Sequence, residues 1–419
     1  MQKKSPRVFL GLNEIANYYH NLQRGFEELG VDCALVVRID DKFEYGRGDE
    51  FALIKAWKQA VNKRRATSKS RFLNKIFWVS TDTLLTTMVL FWALVNFDVF
   101  IYSFASSFFN YKELPLLKFL NKKIIYVFHG TDSRPPYMNG KFNGKSAKEL
   151  AELSETYKAR LRKIEKYADH IVCNPPQGQF HEKKFINRMY VGSAVSCGNI
   201  DLDKDKKNKK TVTVLHAPSD SGAKGTAVIR KIVKELKNEG YQLDYKELSG
   251  VTNKTVLDSM AKADILIDQV YSDFFLTGVA REAACLGLPT IVGGYYAEYI
   301  DKDYKGYVPT VFCLPDEIKE SLKKLLTDEE LRSKTGRDAK EYIEANGSPR
   351  VVAERFLMII SNEIPEEWYY DPKKITYCFG AALPKEIVIK NIRLMVKDFG
   401  ESSLQVDDKP ALKKALLGL

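Results

Sequence analysis

The amino-acid sequence predicts an α/β fold made of two doubly wound, Rossmann-like halves. Three observations predict it. The chain opens with a strand, a glycine turn, a helix, a glycine stop and a second strand; the same alternation restarts beyond residue 211; and 419 residues exceed one ordinary core, since a domain holds roughly 150.

The elements follow in order. Arg7–Gly11 is a short apolar run ending in glycine, Glu14–Leu29 has helical spacing of apolar residues before Gly30, and Val31–Val37 is the next strand. Such a βαβ unit requires a parallel sheet and a right-handed crossover. Strands are expected at Val99–Ser103, Lys123–Phe128 and His170–Cys173, with a helix at Ser146–Tyr167. The second half reads as strands at Thr211–His216, Leu243–Leu248, Ile265–Asp268 and Thr290–Val292, with helices at Thr226–Glu239, Asn253–Ala261 and from Gly278. The charged run Asn199–Lys210 is expected to link the halves. After Asn346 the pattern is helical, with the aromatic cluster Trp368-Tyr369-Tyr370, a helix at Lys385–Phe399 and a loosely held tail from Gly400. The expected domains are 1–198, 199–365 and a helical extension, 366–419.

Hydrophobic residues make up 45% and charged residues 28%, which excludes a disordered chain. The net charge of +11 is placed unevenly: residues 1–200 hold 31 Lys and Arg against 19 Asp and Glu, leaving 34 against 35 in the rest. A basic half suits anionic lipid or nucleic acid, since both present phosphates. Six cysteines (33, 173, 197, 285, 313 and 378) lie apart from one another without zinc-ligand spacing, so reduced, mostly buried thiols are expected. The start lacks a signal peptide's apolar core, which points to the cytosol. Thr83–Phe97 is free of charge but only 15 residues long, shorter than the ~20 of a membrane span; it reads as a buried or membrane-surface helix.

Four segments carry chemistry. From Asp264 to Val292 the chain reads DILIDQVYSDFFLTGVAREAACLGLPTIV. A strand delivers Asp268 and Gln269, and Thr277-Gly278 opens a helix whose free N–H groups and dipole favour an anion. Glu282, one turn on, can accept hydrogen bonds from a ribose diol; the plain alternative is a solvated carboxylate. In VLHAPSDSGAKGT, Val214–Thr226, Lys224-Gly225 precedes a helix, where an ammonium meets phosphate as a mobile charge; alone, such a lysine reads as a surface residue. In VFHGTDSR, Val127–Arg134, His129 leads a polar loop containing Asp132 and Arg134 at the carboxyl end of a strand, where open α/β sheets bind ligands; the plain alternative is a structural histidine. Gly11, Asn13 and Glu14 form the first strand-to-helix turn, common to many α/β proteins.

These segments resemble the GT-B glycosyltransferases, specifically retaining glycosyltransferase family 4, whose Gly-x-x-x-Glu-Ala helix start followed by Gly-x-Pro is matched by Gly278, Glu282, Ala283, Gly287 and Pro289. The resemblance implies two Rossmann-like domains with a cleft between them and a C-terminal helix returning to the first. It implies that Lys224, Gly225, Thr277 and Gly278 bind the donor diphosphate, Glu282 the ribose, and that His129 supports transfer electrostatically. Gly11, Asn13, Asp132 and Arg134 would form donor or acceptor loops. Two departures stand out: the first Glu of the family's E-x7-E is Phe274, and the Arg that commonly accompanies the Lys is absent, residues 219–223 reading Ser-Asp-Ser-Gly-Ala. No Walker A, G-x-G-x-x-G or G-x-S-x-G motif occurs; neither metal nor cofactor is expected, the nucleotide-sugar being a substrate.

Residues 55–78 interleave Lys55, Lys58, Lys63, Arg64, Arg65, Lys69, Arg71 and Lys75 with Trp57, Phe72, Phe77 and Trp78. That mixture suits an anionic membrane surface, while single-stranded nucleic acid uses similar ingredients and a solvated helical hairpin would contain them too. With no nucleic-acid motif present, lipid is preferred. The expected function is retaining transfer from a nucleotide-sugar donor to a glycan or lipid-linked acceptor, in cell-surface polysaccharide or glycolipid biosynthesis. Its place would be the cytoplasmic face of a membrane. The rivals are a catalytically silent scaffold of the same fold, which Phe274 and the missing Arg would explain, and a basic nucleic-acid-binding protein.

Overall fold

The computed structural model describes residues 5–39, 51–67, 72–197 and 211–419. The expected linker at 199–210, and Lys69 and Arg71 of the basic stretch, lie outside the described residues. The chain folds into two compact units assembled from interleaved segments: 1–128 with 163–172 and 349–367, and 129–162 with 173–348 and 368–419.

The first unit contains β1 (Val8–Leu12), α1 (Tyr18–Glu28), β2 (Cys33–Val37), α2 (Ala52–Ala66), α3 (Phe72–Asn96), β3 (Val99–Ser103), α4 (Leu114–Phe119) and β4 (Lys123–Val127). The end of α5 (Ala147–Tyr167) and most of β5 (His170–Cys173) complete its wound core. The strands pair in parallel in the order β2-β1-β3-β4-β5, a doubly wound order whose direction of growth reverses between β1 and β3. Both faces are covered, so the strands read as continuous apolar runs: Val8, Phe9, Leu10, Phe100, Ile101 and Ile125 are buried. α14 (Pro349–Ser361) joins this unit by packing against α1, and Gly25 makes that approach possible because a Cβ there would lie 2.0 Å from Pro349 O.

α2 and α3 form a helical pair. Their shared face holds Trp57, whose Nε1 donates to Thr86 Oγ1 at 2.8 Å, and Asp82, a buried carboxylate paired with Arg38 and Arg64. Trp57, expected at a lipid boundary, is therefore a core residue. α3 runs 25 residues, longer than the uncharged stretch suggested, and its other face leaves Phe72, Leu73, Phe77, Leu84, Met88, Phe91 and Val95 exposed.

The second unit contains β6 (Phe185–Asn187), α6 (Arg188–Val191), β7 (Val212–His216), α7 (Ser221–Lys224), α8 (Thr226–Asn238), β8 (Leu243–Glu247), α9 (Asn253–Met260), β9 (Ile265–Gln269), α10 (Gly278–Cys285), β10 (Thr290–Gly293), α11 (Ile300–Asp303), β11 (Val311–Cys313), α12 (Ile318–Thr327), α13 (Glu329–Asn346), β12 (Tyr369–Tyr370), α15 (Lys385–Phe399) and α16 (Pro410–Leu417). Its main sheet is parallel in the order β8-β7-β9-β10-β11, repeating the doubly wound order of the first, with its reversal between β7 and β9. α8 buries Ile229, Ile232, Val233 and Leu236 at helical spacing against it.

Two expectations are corrected. Cys197 and Cys285 form a disulfide, so the cysteines are not all reduced; residues 88 apart in sequence give no spacing signal. The tail from Gly400 is ordered: Leu404, Leu412 and Leu416 are buried, and Lys409 is enclosed beside Asp408, which also binds Lys158. Trp368-Tyr369-Tyr370 ends in β12, antiparallel to β6.

The Gly25 contact yields a stability prediction. Gly25→Ala should destabilise the protein by about 1–3 kcal/mol, the usual cost of overpacking, visible as a lowered midpoint in thermal denaturation; an unchanged midpoint would show that α14 does not hold this position.

Candidate functional site

The switch point between β7 and β9 brings together Lys224, Gly225, Thr277 and Gly278, four of the residues that the sequence singled out. β9 carries Asp268 as its penultimate residue, and that carboxylate is almost wholly buried. Lys224 Nζ donates to its Oδ1 at 2.8 Å, and the Thr277 hydroxyl donates to its Oδ2. Lys224 arrives from the loop after β7, which Asp220 organises by accepting from Ala223 N at 2.9 Å. Gly225, at φ 71°, both ends α7 and opens α8; a Cβ there would come within 2.7 Å of Val270. Lys224 is thus a largely enclosed cation, not a surface lysine.

Thr277 also caps α10, its Oγ1 accepting from Ala280 N at 3.4 Å, while Gly278 begins the helix. One turn on, Glu282 Oε1 accepts from Asn253 Nδ2 at 2.9 Å. Its Oε2 is buried and has no partner among the described residues. Burial, with a smaller contribution from Asp268, raises the Glu282 pKa above its ordinary value, against the lowering effects of Asn253 and Arg281. A desolvated carboxylate with an open lone pair is suited to accept from a ligand hydroxyl.

His129, Asp132 and Arg134 lie in the same unit. Asp132 Oδ1 accepts from the backbone N–H of His129 and Gly130, at 3.0 and 2.8 Å. Gly130 sits at φ 125°, with Arg134 too close to admit a Cβ. Arg134 pairs with buried Asp273, which also accepts from Gln177 Nε2 at 3.1 Å. The His129 loop is thereby tied to the segment leading into α10.

Phe274 explains what replaces the first Glu of the E-x7-E pattern. Its ring is buried against Phe275, and the Arg188 guanidinium lies over it at 5.2 Å, a cation–π contact. Arg188 Nη1 lies 2.8 Å from His129 Nδ1. A guanidinium only donates, so Nδ1 accepts and the ring is neutral with its proton on Nε2. Burial first, then Arg188 and Arg281, depress the His129 pKa well below 6.5. Arg188 and Asp268 are the site residues that the sequence reading left unassigned; Arg188 stands 59 positions from its histidine, and only the fold joins them. Gly11 and Asn13 belong to the first unit, at its own switch point: Leu12 N and Asn13 N donate to the hydroxyls of Ser106 and Ser103, at 2.9 and 3.0 Å. Among the described residues no group of His, Cys, Asp and Glu could hold a metal ion.

Neither a family model nor a curated protein matches the sequence. The structure is similar to sucrose-phosphate synthase from Thermosynechococcus elongatus, at 12% identity over 86% of this chain and 99% of that one, with a TM-score of 0.51. It is also similar to the N-terminal domain of trehalose-6-phosphate phosphatase from Candida albicans, at 10% identity over 87% of this chain and 98% of that one, with a TM-score of 0.53. With two doubly wound parallel sheets, the chain has the GT-B fold.

The Arg188 contact has a pH signature. His129 should stay neutral at pH 6–8 in the folded protein, whereas the unfolded chain protonates it below about 6.5. Its contribution to stability is fully present above that pH and is lost as pH falls from there towards the depressed folded-state pKa. NMR of the imidazoles, assigned with His129→Asn, should show no His129 titration between pH 6 and 8, and Arg188→Gln should move its pKa upward. A wild-type ring titrating at 6.5 would refute the geometry.

Proposed function

We propose that the protein is a glycosyltransferase that takes a sugar from a nucleotide-sugar donor held in the second unit. The observation carrying this reading is the open, buried Glu282 Oε2 one helical turn from Thr277-Gly278, with Lys224 anchored beside that helix start. The arrangement offers a cation and helix N–H groups for a diphosphate and a carboxylate for a diol, in the order in which a nucleoside diphosphate presents them. His129, neutral with its proton on Nε2, is a donor rather than a base, which suits stabilisation of the departing phosphate over proton abstraction. Transfer with retention, in the manner of glycosyltransferase family 4, fits the absence of a general base in this role. The first unit is assigned the glycan or lipid-linked acceptor, with Gly11 and Asn13 at its switch point and Asp132 and Arg134 supporting the donor side.

Membrane attachment belongs to the same proposal. From Leu84 the exposed apolar residues of α3 recur every three or four positions, at Met88, Phe91 and Val95, and α2 carries the exposed cations Lys55, Lys63 and Arg65. Apolar side chains entering the acyl boundary and cations on anionic head groups make an interfacial helix. α3 is long and apolar enough to cross a membrane, but its inner face is committed to α2 through Asp82 and Thr86, which favours lying in the surface. A cytoplasmic face and cell-surface polysaccharide or glycolipid assembly follow as the setting.

Calorimetry and thermal shift against UDP, GDP, CMP, ADP and their sugars test the donor site. A cognate nucleotide at a hundredfold excess over Kd should stabilise the protein by about 2.7 kcal/mol. Lys224→Ala should abolish the effect. Glu282→Gln should raise the apo stability at pH 8, because the folded-state pKa is raised and stability is lost as pH rises through it, while weakening nucleotide binding about ten- to a hundredfold. Binding of oligonucleotide with no nucleotide-sugar effect would favour the nucleic-acid reading, and binding of neither the silent scaffold. Co-sedimentation with phosphatidylglycerol vesicles tests the membrane face: Phe77→Ser with Phe91→Ser should reduce binding at least about tenfold, and equal binding by this variant would remove α3 from the contact.

A further inference from the structure

A cavity in the second unit, of about 500 Å³, is lined by Tyr271, Tyr295 and Phe379 with Glu298, Asp316 and Glu386 among its charged groups. Tyr271 follows β9 and Tyr295 follows β10. Their rings are near parallel, 26° apart with centroids at 6.0 Å, and Phe379 extends the wall, 5.3 Å from Tyr295. None of the three rings is fully buried.

The wall is built rather than incidental. The two strand ends approach closely because Gly294 separates them: a Cβ there would lie 1.9 Å from Ser272 O, and Ser272 N donates to Gly293 O at 2.7 Å. Tyr295 is fixed by Lys385 N, which donates to its hydroxyl at 3.2 Å, and Ala382 N donates to Tyr271 O at 2.7 Å. Two of the three carboxylates, Glu386 and Asp316, act on this wall electrostatically. Burial pushes Tyr295 up to about 12, with Glu386 and Asp316 adding to the effect, and Glu386 also raises Tyr271.

Glu298, Asp316 and Glu386 make no ion pair or hydrogen bond among the described residues, and Lys385, whose ammonium lies 6.0 Å from the Tyr295 ring, is the cavity's single lining cation. An aromatic wall with unengaged carboxylates fits one ligand class well. The C–H face of a pyranose packs on an aromatic ring, and its hydroxyls donate to carboxylates. The excess of negative charge disfavours phosphates and uronic acids, in contrast with the Lys224 site. The volume lies within the ~300–1,000 Å³ of small-molecule sites, room for more than one sugar ring.

We propose that this cavity is a binding site for a neutral saccharide; it adjoins Gly225 through Val270 and Tyr271 but is lined by none of Lys224, Thr277, Gly278 and Glu282, and it is independent of their assignment. The glycan ring stacks on Tyr271 and Tyr295, and Asp316, Glu298 and Glu386 take its hydroxyls.

Saturation-transfer NMR on the full chain tests it, with maltose, cellobiose, lactose, mannobiose, N,N′-diacetylchitobiose and glucuronic acid as probes, with and without saturating UDP and GDP. At least one neutral disaccharide should bind, glucuronic acid should not, and neither nucleotide should compete. Tyr271→Ala and Tyr295→Phe with Glu386→Gln, each checked for folding by circular dichroism, should weaken binding about tenfold or more, while Glu282→Gln should leave it unchanged. No binding by any neutral probe, or binding unaffected by both cavity variants, would overturn the proposal; loss of nucleotide binding with saccharide binding intact would instead count against the donor site alone.

Discussion

The second unit depends on one buried carboxylate. Asp268 lies near the end of β9, after the fully buried Ile265, Leu266 and Ile267, so the strand has no choice about where it delivers the charge. An enclosed carboxylate is costly unless paired, and here it is paired twice, by Lys224 from the loop after β7 and by Thr277 from the turn that opens α10. The two walls of the switch point are thereby tied to one another through a single side chain. The lysine held this way is oriented without any ligand, and an anion arriving there would compete with Asp268 for it instead of having to order a free ammonium.

The same economy of charge runs through the His129 loop. With Phe274 where the resembled family keeps a carboxylate, Arg188 rests on a ring and on a neutral imidazole, with no ion-pair partner among the described residues. Asp273, one residue earlier, is spent on Arg134 and Gln177. Around His129 the field is therefore positive, which adds to burial in depressing the imidazole pKa.

Much of this fold was legible from sequence because long strands and helices write their periodicity over many residues. Val99–Ser103 and Lys385–Phe399 appear where the pattern puts them, and Thr226–Asn238 and Ala147–Tyr167 differ by one residue at an end. Three-residue β6 and β11 and two-residue β12 are too short for a period to register. Pairings set by tertiary structure were equally silent: Cys197 with Cys285, Trp57 with Thr86, Arg188 with His129. Tail residues such as Leu404 and Leu412 carry the apolar character of a core, but their polar neighbours mask it. The candidate site was nameable where resemblance supplied the order of residues, in Lys224, Thr277, Gly278 and Glu282, and opaque where space rather than order decides, in Asp268 and Arg188.

Both units share one strand order, yet their switch points differ in chemistry, and the difference bears on which helix start is free to take an anion. At the start of α1 the Glu14 carboxylate, itself buried, accepts from the backbone N–H of Ile15, Tyr19 and His20 at 2.6, 3.3 and 2.8 Å. The positive end of that helix already holds an anion, and a phosphate approaching it would meet like charge. The start of α10 is capped only by the neutral hydroxyl of Thr277, with Lys224 anchored nearby through Asp268. Of two similar helix starts, the chain has filled one with its own carboxylate and left the other able to receive a ligand's charge.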